Sequence, residues 1–514
     1  MTIDVTFHPD APPEQAHAPA STRTWLGLAV LALPTALLGL DVTLLYLALP
    51  ALAADLQPTS TQALWIMDAY GFMIAGFLIT MGSLGDRIGR RKLLMIGAVA
   101  FAAASVLAAF STSAGMLIFA RAALGVAGAT LMPSTLALIS NMFNVPAQRA
   151  LAIGVWATMF ALGMAAGPLV GGVLLEQFWW GSAFLVALPI VAILLVAGPF
   201  LLPEYRDPAG GRLDLISAFL SLLAILPGIY ALKEVAKYGI DFPSVLAFAA
   251  SVVLAMVFVR RQLTLRHPLL DVRLFANRAF TVALIILLFG LVSVGGTMLL
   301  VTQYLQLVAG FSPLVAGAWM GPPALMMFVA GIAAPLMARK VRPGIVVGGA
   351  LALSAIGYLM LTVIVPSSGI ALLIAGFSLA YLGLGTIAAL GTDLVVSTAP
   401  PTKAGAASAM SEMVQELGVA LGVAILGSLT TFIYRREIFD ALPSGLRGAE
   451  SEAVTDSLAQ AYAVQDTLPE GVFTQAQSAF VAGLNGAAMV ATLIAASLAL
   501  LSVVALRHAR TQGG

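Results

Sequence analysis

Long apolar runs, each broken by a short cluster of charge, proline or glycine, repeat along nearly the whole chain. A helix needs about twenty apolar residues to cross about 30 Å of hydrocarbon. Runs of that kind fall at 25–49, 63–84, 93–110, 116–140, 150–175 and 181–202, then at 214–233 and 244–260. Six more follow at 279–302, 314–336, 344–365, 370–396, 404–433 and 478–505. The pattern predicts an all-α integral membrane protein with fourteen transmembrane helices. The Pro- and Gly-containing stretch 203–213 reads as the linker that closes the first block. The expected organisation is a disordered cytosolic tail (1–24), a six-helix block (25–202), linkers with two extra helices (203–278), a second six-helix block (279–505) with a hydrophilic outer connection (434–477), and a short cytosolic tail (506–514).

Composition sharpens this picture. Of 514 residues, 60% are hydrophobic and only 10% charged, which leaves almost no length for a water-soluble domain. The net charge of +1 argues against a nucleic-acid partner, so the placement of charge is more informative than its total. With the N-terminus inside, 19 Lys and Arg fall in loops assigned to the cytosol. Five fall outside (Lys233, Lys237, Arg435, Arg436 and Arg447), and Arg121 remains within a span. That asymmetry puts both termini in the cytosol. The outer connection is acidic and reads as a solvated loop with room for one amphipathic helix, or as a vestibule that attracts cations. The absence of cysteine excludes thiolate catalysis, iron–sulfur clusters and Cys-ligated zinc, and no histidine falls within a span. The chain has no H-E-x-x-H pattern and no phosphate-binding G-x-x-x-x-G-K-[ST] loop, so neither a membrane metalloprotease nor an ATP-driven pump is expected.

Three runs carry a more specific signal. Between spans two and three lies Gly82-Ser-Leu-Gly-Asp86-Arg87-Ile-Gly89-Arg90-Arg91-Lys92, with glycines for a tight turn, a carboxylate and four cations. Span five contains Gly163-Met-Ala-Ala-Gly167-Pro168-Leu-Val-Gly171-Gly172, whose small residues permit close helix packing and whose proline removes a backbone donor. Span one ends Leu40-Asp41-Val-Thr43-Leu-Leu-Tyr46-Leu-Ala48-Leu49-Pro50. The first run resembles the loop signature of the major facilitator superfamily. The other two resemble the antiporter signature and the span-one signature of its fourteen-helix drug/proton antiporters. Trp65-Ile-Met-Asp68-Ala-Tyr70, Arg121-Ala-Ala-Leu-Gly125 and Ser411-Glu412-Met-Val-Gln-Glu416-Leu-Gly418 extend the resemblance over the whole chain.

The resemblance implies the major facilitator fold, two six-helix bundles plus two extra central helices, in a bacterial inner membrane. It also implies export, and a cytosolic latch in which Gly82, Asp86, Arg87, Gly89 and Arg90 pair with span four or the start of span thirteen. Span ten reads Ala324-Leu-Met326-Met327-Phe328, without the acidic residue that accompanies divalent cargo in such exporters, so the resemblance does not extend to a strong preference for divalent cations.

Charge inside hydrocarbon costs roughly 2.5–3.5 kcal/mol per residue on insertion scales, which marks each retained one as a candidate working part. Asp41, Asp68, Asp393, Glu412 and Glu416 qualify. Asp41, Asp68 and Arg121 can share one depth, so an aspartate beside Arg121 is expected either to exchange a proton as the pair parts or to form a permanent ion pair. Glu412 and Glu416 are four apart on one helical face, where two ionised carboxylates repel and a shared proton or one lipophilic cation relieves them. Substrate contacts are expected from Tyr46, Trp65, Tyr70 and Trp156, with Met159, Phe160, Trp319, Met320 and Tyr381 as further aromatic or soft surface. The expected function is proton-coupled efflux of lipophilic cationic drugs. The alternative is the same fold carrying a neutral antibiotic, a siderophore or an endogenous metabolite. Protons and membrane lipids are the other expected partners of a monomer that needs no cofactor and no metal.

Overall fold

The computed structural model of the protein describes residues 20–206, 214–265, 268–366, 369–400, 403–441 and 448–506. Fourteen helices within them are long and apolar enough to cross a membrane. The first group is α1 (Thr22–Leu56), α2 (Ser60–Ile88), α3 (Arg90–Ala109), α4 (Ala114–Met142), α5 (Ala147–Gln177) and α6 (Ser182–Leu201). Then come α7 (Leu215–Tyr238) and α8 (Phe242–Thr264). The second group is α9 (Arg278–Val308), α10 (Pro313–Ala338), α11 (Pro343–Leu361), α12 (Ile370–Thr398), α13 (Gly405–Phe439) and α14 (Val472–Ala505).

Several boundaries differ from those expected. Helix α1 starts inside the segment expected to be disordered, because the Ser21 side chain caps it by accepting from the Thr24 amide. Residues 1–19 of that tail lie outside the described residues, as do 207–213 of the linker, 442–447 of the acidic connection and 507–514 of the second tail. Helix α9 continues past 302 through a π-helical turn at Tyr304–Val308. The acidic connection carries two short helices, Ala449–Asp456 and Leu458–Ala463. Helix α7 runs five residues beyond its expected end, so Lys233, counted with the outer cations at the edge of the expected span, lies inside the helix.

Within the first group α1 packs on α5, and α4 packs on α2 and α3; within the second, α9 packs on α13, α11 on α14 and α10 on α12. The groups meet along α2–α13, α5–α10 and α1–α9. The polar contacts between them gather at one end, opposite the α2–α3 loop. There Gln306 Nε2 donates to the Leu47 carbonyl at 3.2 Å, and Gln460 Nε2 donates to the Pro58 carbonyl at 2.8 Å. At the end bearing the α2–α3 loop, here the basic end, no hydrogen bond or ion pair among the described residues joins the two groups. Polar contacts between the groups close one end and are absent from the other among the described residues.

The two extra helices differ in kind. Helix α7 enters the seam where α2 and α13 meet, with Ile229 buried against Phe72, Ala420 and Ala424, and Leu222 fitted over Gly76. Helix α8 packs mainly on α7 and buries only Ser244 and Gln262, leaving Val245, Leu246, Phe248 and Val253 exposed, as a lipid-facing helix does.

Candidate functional site

The span-one and span-five signatures interlock. Pro168 has no amide hydrogen, so the carbonyl of Met164, four residues earlier, loses its helical donor. Thr43 of α1 supplies the replacement, its Oγ1 donating to Met164 O at 2.9 Å. Gly163 and Gly167 bring α5 onto α1, since a Cβ at either position would strike the Ala36 carbonyl or the Thr43 hydroxyl. Gly171 lies against Leu44, while Gly172 faces Pro313 and Leu314 of α10 in the other group. The run expected to permit a bend therefore also forms part of the seam between groups.

This packing sets Asp41 opposite Arg121. Arg121 Nη1 meets Asp41 Oδ2 at 2.8 Å, and its Nε donates to the Ile66 carbonyl at 3.1 Å. The guanidinium lies 4.5 Å from the centre of the Tyr70 ring, and the arginine side chain is 2% exposed. Tyr46 is buried within charge range of Arg121, Asp68 and Glu416.

Asp68 is not the partner of Arg121. Its side chain is fully buried against α7, with Lys233 Nζ 2.7 Å from Oδ2. Neither group has another polar partner among the described residues. The same ammonium lies 3.7 Å from the centre of the Trp65 ring. Lys233 is thus a correction to the expected topology: a residue counted as an outer-loop cation is a buried counter-ion. The available signal was the apolar pair Val235 and Ala236 beyond it.

Glu416 is buried at the α2–α13 contact, where its backbone faces Gly71, and Glu412 sits half-buried one turn closer to the basic end. Among the described residues neither glutamate side chain makes an ion pair or hydrogen bond, although Asp41 is within charge range of Glu416. Asp393 is exposed on α12 and stands apart from this cluster. Trp156 is also apart, with its indole donating to Thr135 Oγ1 at 3.0 Å between α4 and α5. Tyr381 is buried with its hydroxyl on Met298 Sδ.

At the basic end, Asp86 accepts from Arg90 Nε at 2.8 Å, so its partner lies in its own loop and not on α4 or α13. Gly89 turns the chain at φ +112°, and Glu204 accepts from the Arg91 and Lys92 amides at the start of α3. Gly82 passes close to Pro133 of α4, and Arg87 is exposed.

At the closed end, Asp456 from the acidic connection accepts from the Ser60 amide at 2.6 Å, capping α2, and pairs with Lys237 of α7 at 2.6 Å. Asp456→Asn is expected to loosen this end. Because the chain has no cysteine, Ala63→Cys in that background should react with a maleimide several-fold faster than Ala63→Cys alone. Equal rates would remove Asp456 from the closure.

Residues 31–423 match the profile of the Major Facilitator Superfamily. The chain is 42% identical over 491 residues to the multidrug efflux pump LfrA of Mycolicibacterium smegmatis, covering 95% of this chain and 97% of that protein. It is 34% identical over 467 residues to the methyl viologen resistance protein SmvA of Salmonella typhimurium, covering 89% and 93%. A crystal structure of a bacterial homologue of the human lysosomal transporter Spinster shares the fold at TM-score 0.65 with 16% identity, over 95% of this chain and 98% of that one. With fourteen apolar helices on that fold and efflux pumps as relatives, the chain belongs to the major facilitator superfamily and is a multi-pass efflux transporter of the bacterial inner membrane, not an enzyme.

Proposed function

We propose that this transporter exports lipophilic cations in exchange for protons, with the basic end in the cytosol. The observation that carries the reading is the imbalance among the buried charges. Arg121 is matched by Asp41 and Lys233 by Asp68, which leaves Glu412 and Glu416 as carboxylates without a cationic partner among the described residues. Two acids one turn apart can hold a proton or a cationic drug but gain little from holding both, and that competition is what antiport requires. Tyr46, Tyr70 and Trp65 supply the aromatic surface beside them. A relative named for resistance to methyl viologen, an aromatic organic cation, supports cationic cargo. Of the two glutamates, the half-buried Glu412 lies nearer the basic end. Rocking the two groups about the site would close that end through the Asp86–Arg90 loop and open the other.

Cells preloaded with ethidium test this. Efflux is expected to stop on addition of a protonophore, and Glu416→Gln is expected to lower the efflux rate several-fold at equal protein level. Undiminished efflux by Glu416→Gln would remove that residue from the mechanism. No efflux from cells shown to hold the protein in the membrane would shift the cargo to a neutral compound.

A further inference from the structure

Helix α7 has no counterpart in a twelve-helix arrangement, yet it places the most deeply buried cation among the described residues, with Lys233 and Asp68 both showing no exposed side-chain surface. The ammonium lies 2.7 Å from a carboxylate oxygen and 3.7 Å from the centre of an indole ring. A carboxylate with an aromatic ring close by is an arrangement that receives an organic ammonium ligand. Here a lysine of the protein itself fills it.

Two further features argue against a purely structural pair. An ammonium has three donors, yet Asp68 is the single polar partner of Lys233 among the described residues, and the second Asp68 oxygen has none. A pair selected for stability alone would be fully satisfied or replaced by apolar residues. Helix α7 also has other anchors. Lys237, one turn on, pairs with Asp456, and Ile229 and Leu222 pack the helix into the seam, so α7 keeps these contacts when Lys233 leaves Asp68.

We propose that Lys233 is a tethered stand-in for the substrate: it occupies the cation position between Asp68 and Trp65, and an exported cation takes that position by displacing it. The inference rests on the cation-export reading and deepens it into a rule of selectivity. A primary ammonium is compact and strongly hydrated, whereas a delocalised aromatic cation gives up less hydration and covers more of the indole. Lys233 would therefore exclude small hydrophilic amines, which cannot outcompete it, and admit flat lipophilic cations, which can.

The test is ethidium binding to the purified full-length protein, followed by fluorescence. Lys233→Met, which keeps the length and removes the charge, is expected to bind ethidium about ten-fold more tightly, equivalent to about 1.4 kcal/mol. In Lys233→Met/Asp68→Asn that gain should vanish, because the freed carboxylate produces it. Small amines such as butylammonium should compete with ethidium in Lys233→Met but not in the native protein. Unchanged or weaker ethidium binding by a monodisperse Lys233→Met protein would overturn the proposal and leave a structural ion pair. Should that variant not fold, Lys233→Gln, which retains a donor toward Asp68, carries the same expectation and the same refutation. Ethidium binding to neither the native protein nor the variant would instead overturn the cation-export reading itself.

Discussion

Asp41→Asn is expected to abolish export and to lower stability by about 3–5 kcal/mol, the cost of leaving one member of a buried ion pair without its partner. Arg121 is 2% exposed and would retain the Ile66 carbonyl and the Tyr70 and Phe184 rings, none of them a charge, as compensation. The double variant Asp41→Asn/Arg121→Gln removes both charges and is expected to recover most of the lost thermal stability, because no uncompensated charge remains. Its transport separates the two roles of the pair. If the pair only holds α1 against α4, export should return with stability. If Asp41 takes part in proton exchange beside Glu416, the double variant should be stable and inactive. Thermal unfolding of the purified proteins and ethidium efflux at matched protein levels provide the two readouts. A stable, fully active Asp41→Asn would refute both roles.

Gly167→Val and Gly163→Leu are expected to abolish export by separating α1 from α5. At Gly163 the obstacle is the backbone carbonyl of Ala36, which cannot swing aside as a side chain can. At Gly167 the new side chain displaces the Thr43 hydroxyl, and with it the donor that satisfies Met164 O next to Pro168. Overpacking of this kind costs about 1–3 kcal/mol or more, and at Gly167 an unsatisfied carbonyl in a water-free interior adds to it. Gly154 lies on the same helix with open space around its Cα, so Gly154→Ala should leave folding and efflux unchanged. Comparable loss in Gly154→Ala would mean that α5 tolerates no added volume anywhere and would remove the signature positions from special account.

Much of the cluster was legible because a charge within an apolar run stands out: Asp41, Asp68, Arg121, Glu412 and Glu416 were identifiable on hydropathy alone. Their pairing was not. Asp41 and Asp68 sit at comparable depths, and only the packing of α1 on α5 and of α7 on α2 turns the first toward Arg121 and the second toward Lys233. Lys233 was misplaced because a lysine in the last turns of an apolar run looks like the cation that flanks a span. Burial, not hydropathy, distinguishes the two. Trp156 carries the same aromatic signal as Trp65, yet one is tied to Thr135 and the other lies over an ammonium.

By itself the sequence determined the membrane class, the number of spans and the family. Each rests on properties that run along the chain: the length of apolar runs, the order of residues in a motif and the spacing of small residues on a helix. The tertiary structure alone decided which charges neutralise each other, that α7 enters the α2–α13 seam while α8 faces lipid, and which end of the molecule is closed. These depend on contacts between residues far apart in the chain, such as Asp68 with Lys233 and Ser60 with Asp456, and hydropathy is the same whichever partner a charge finds.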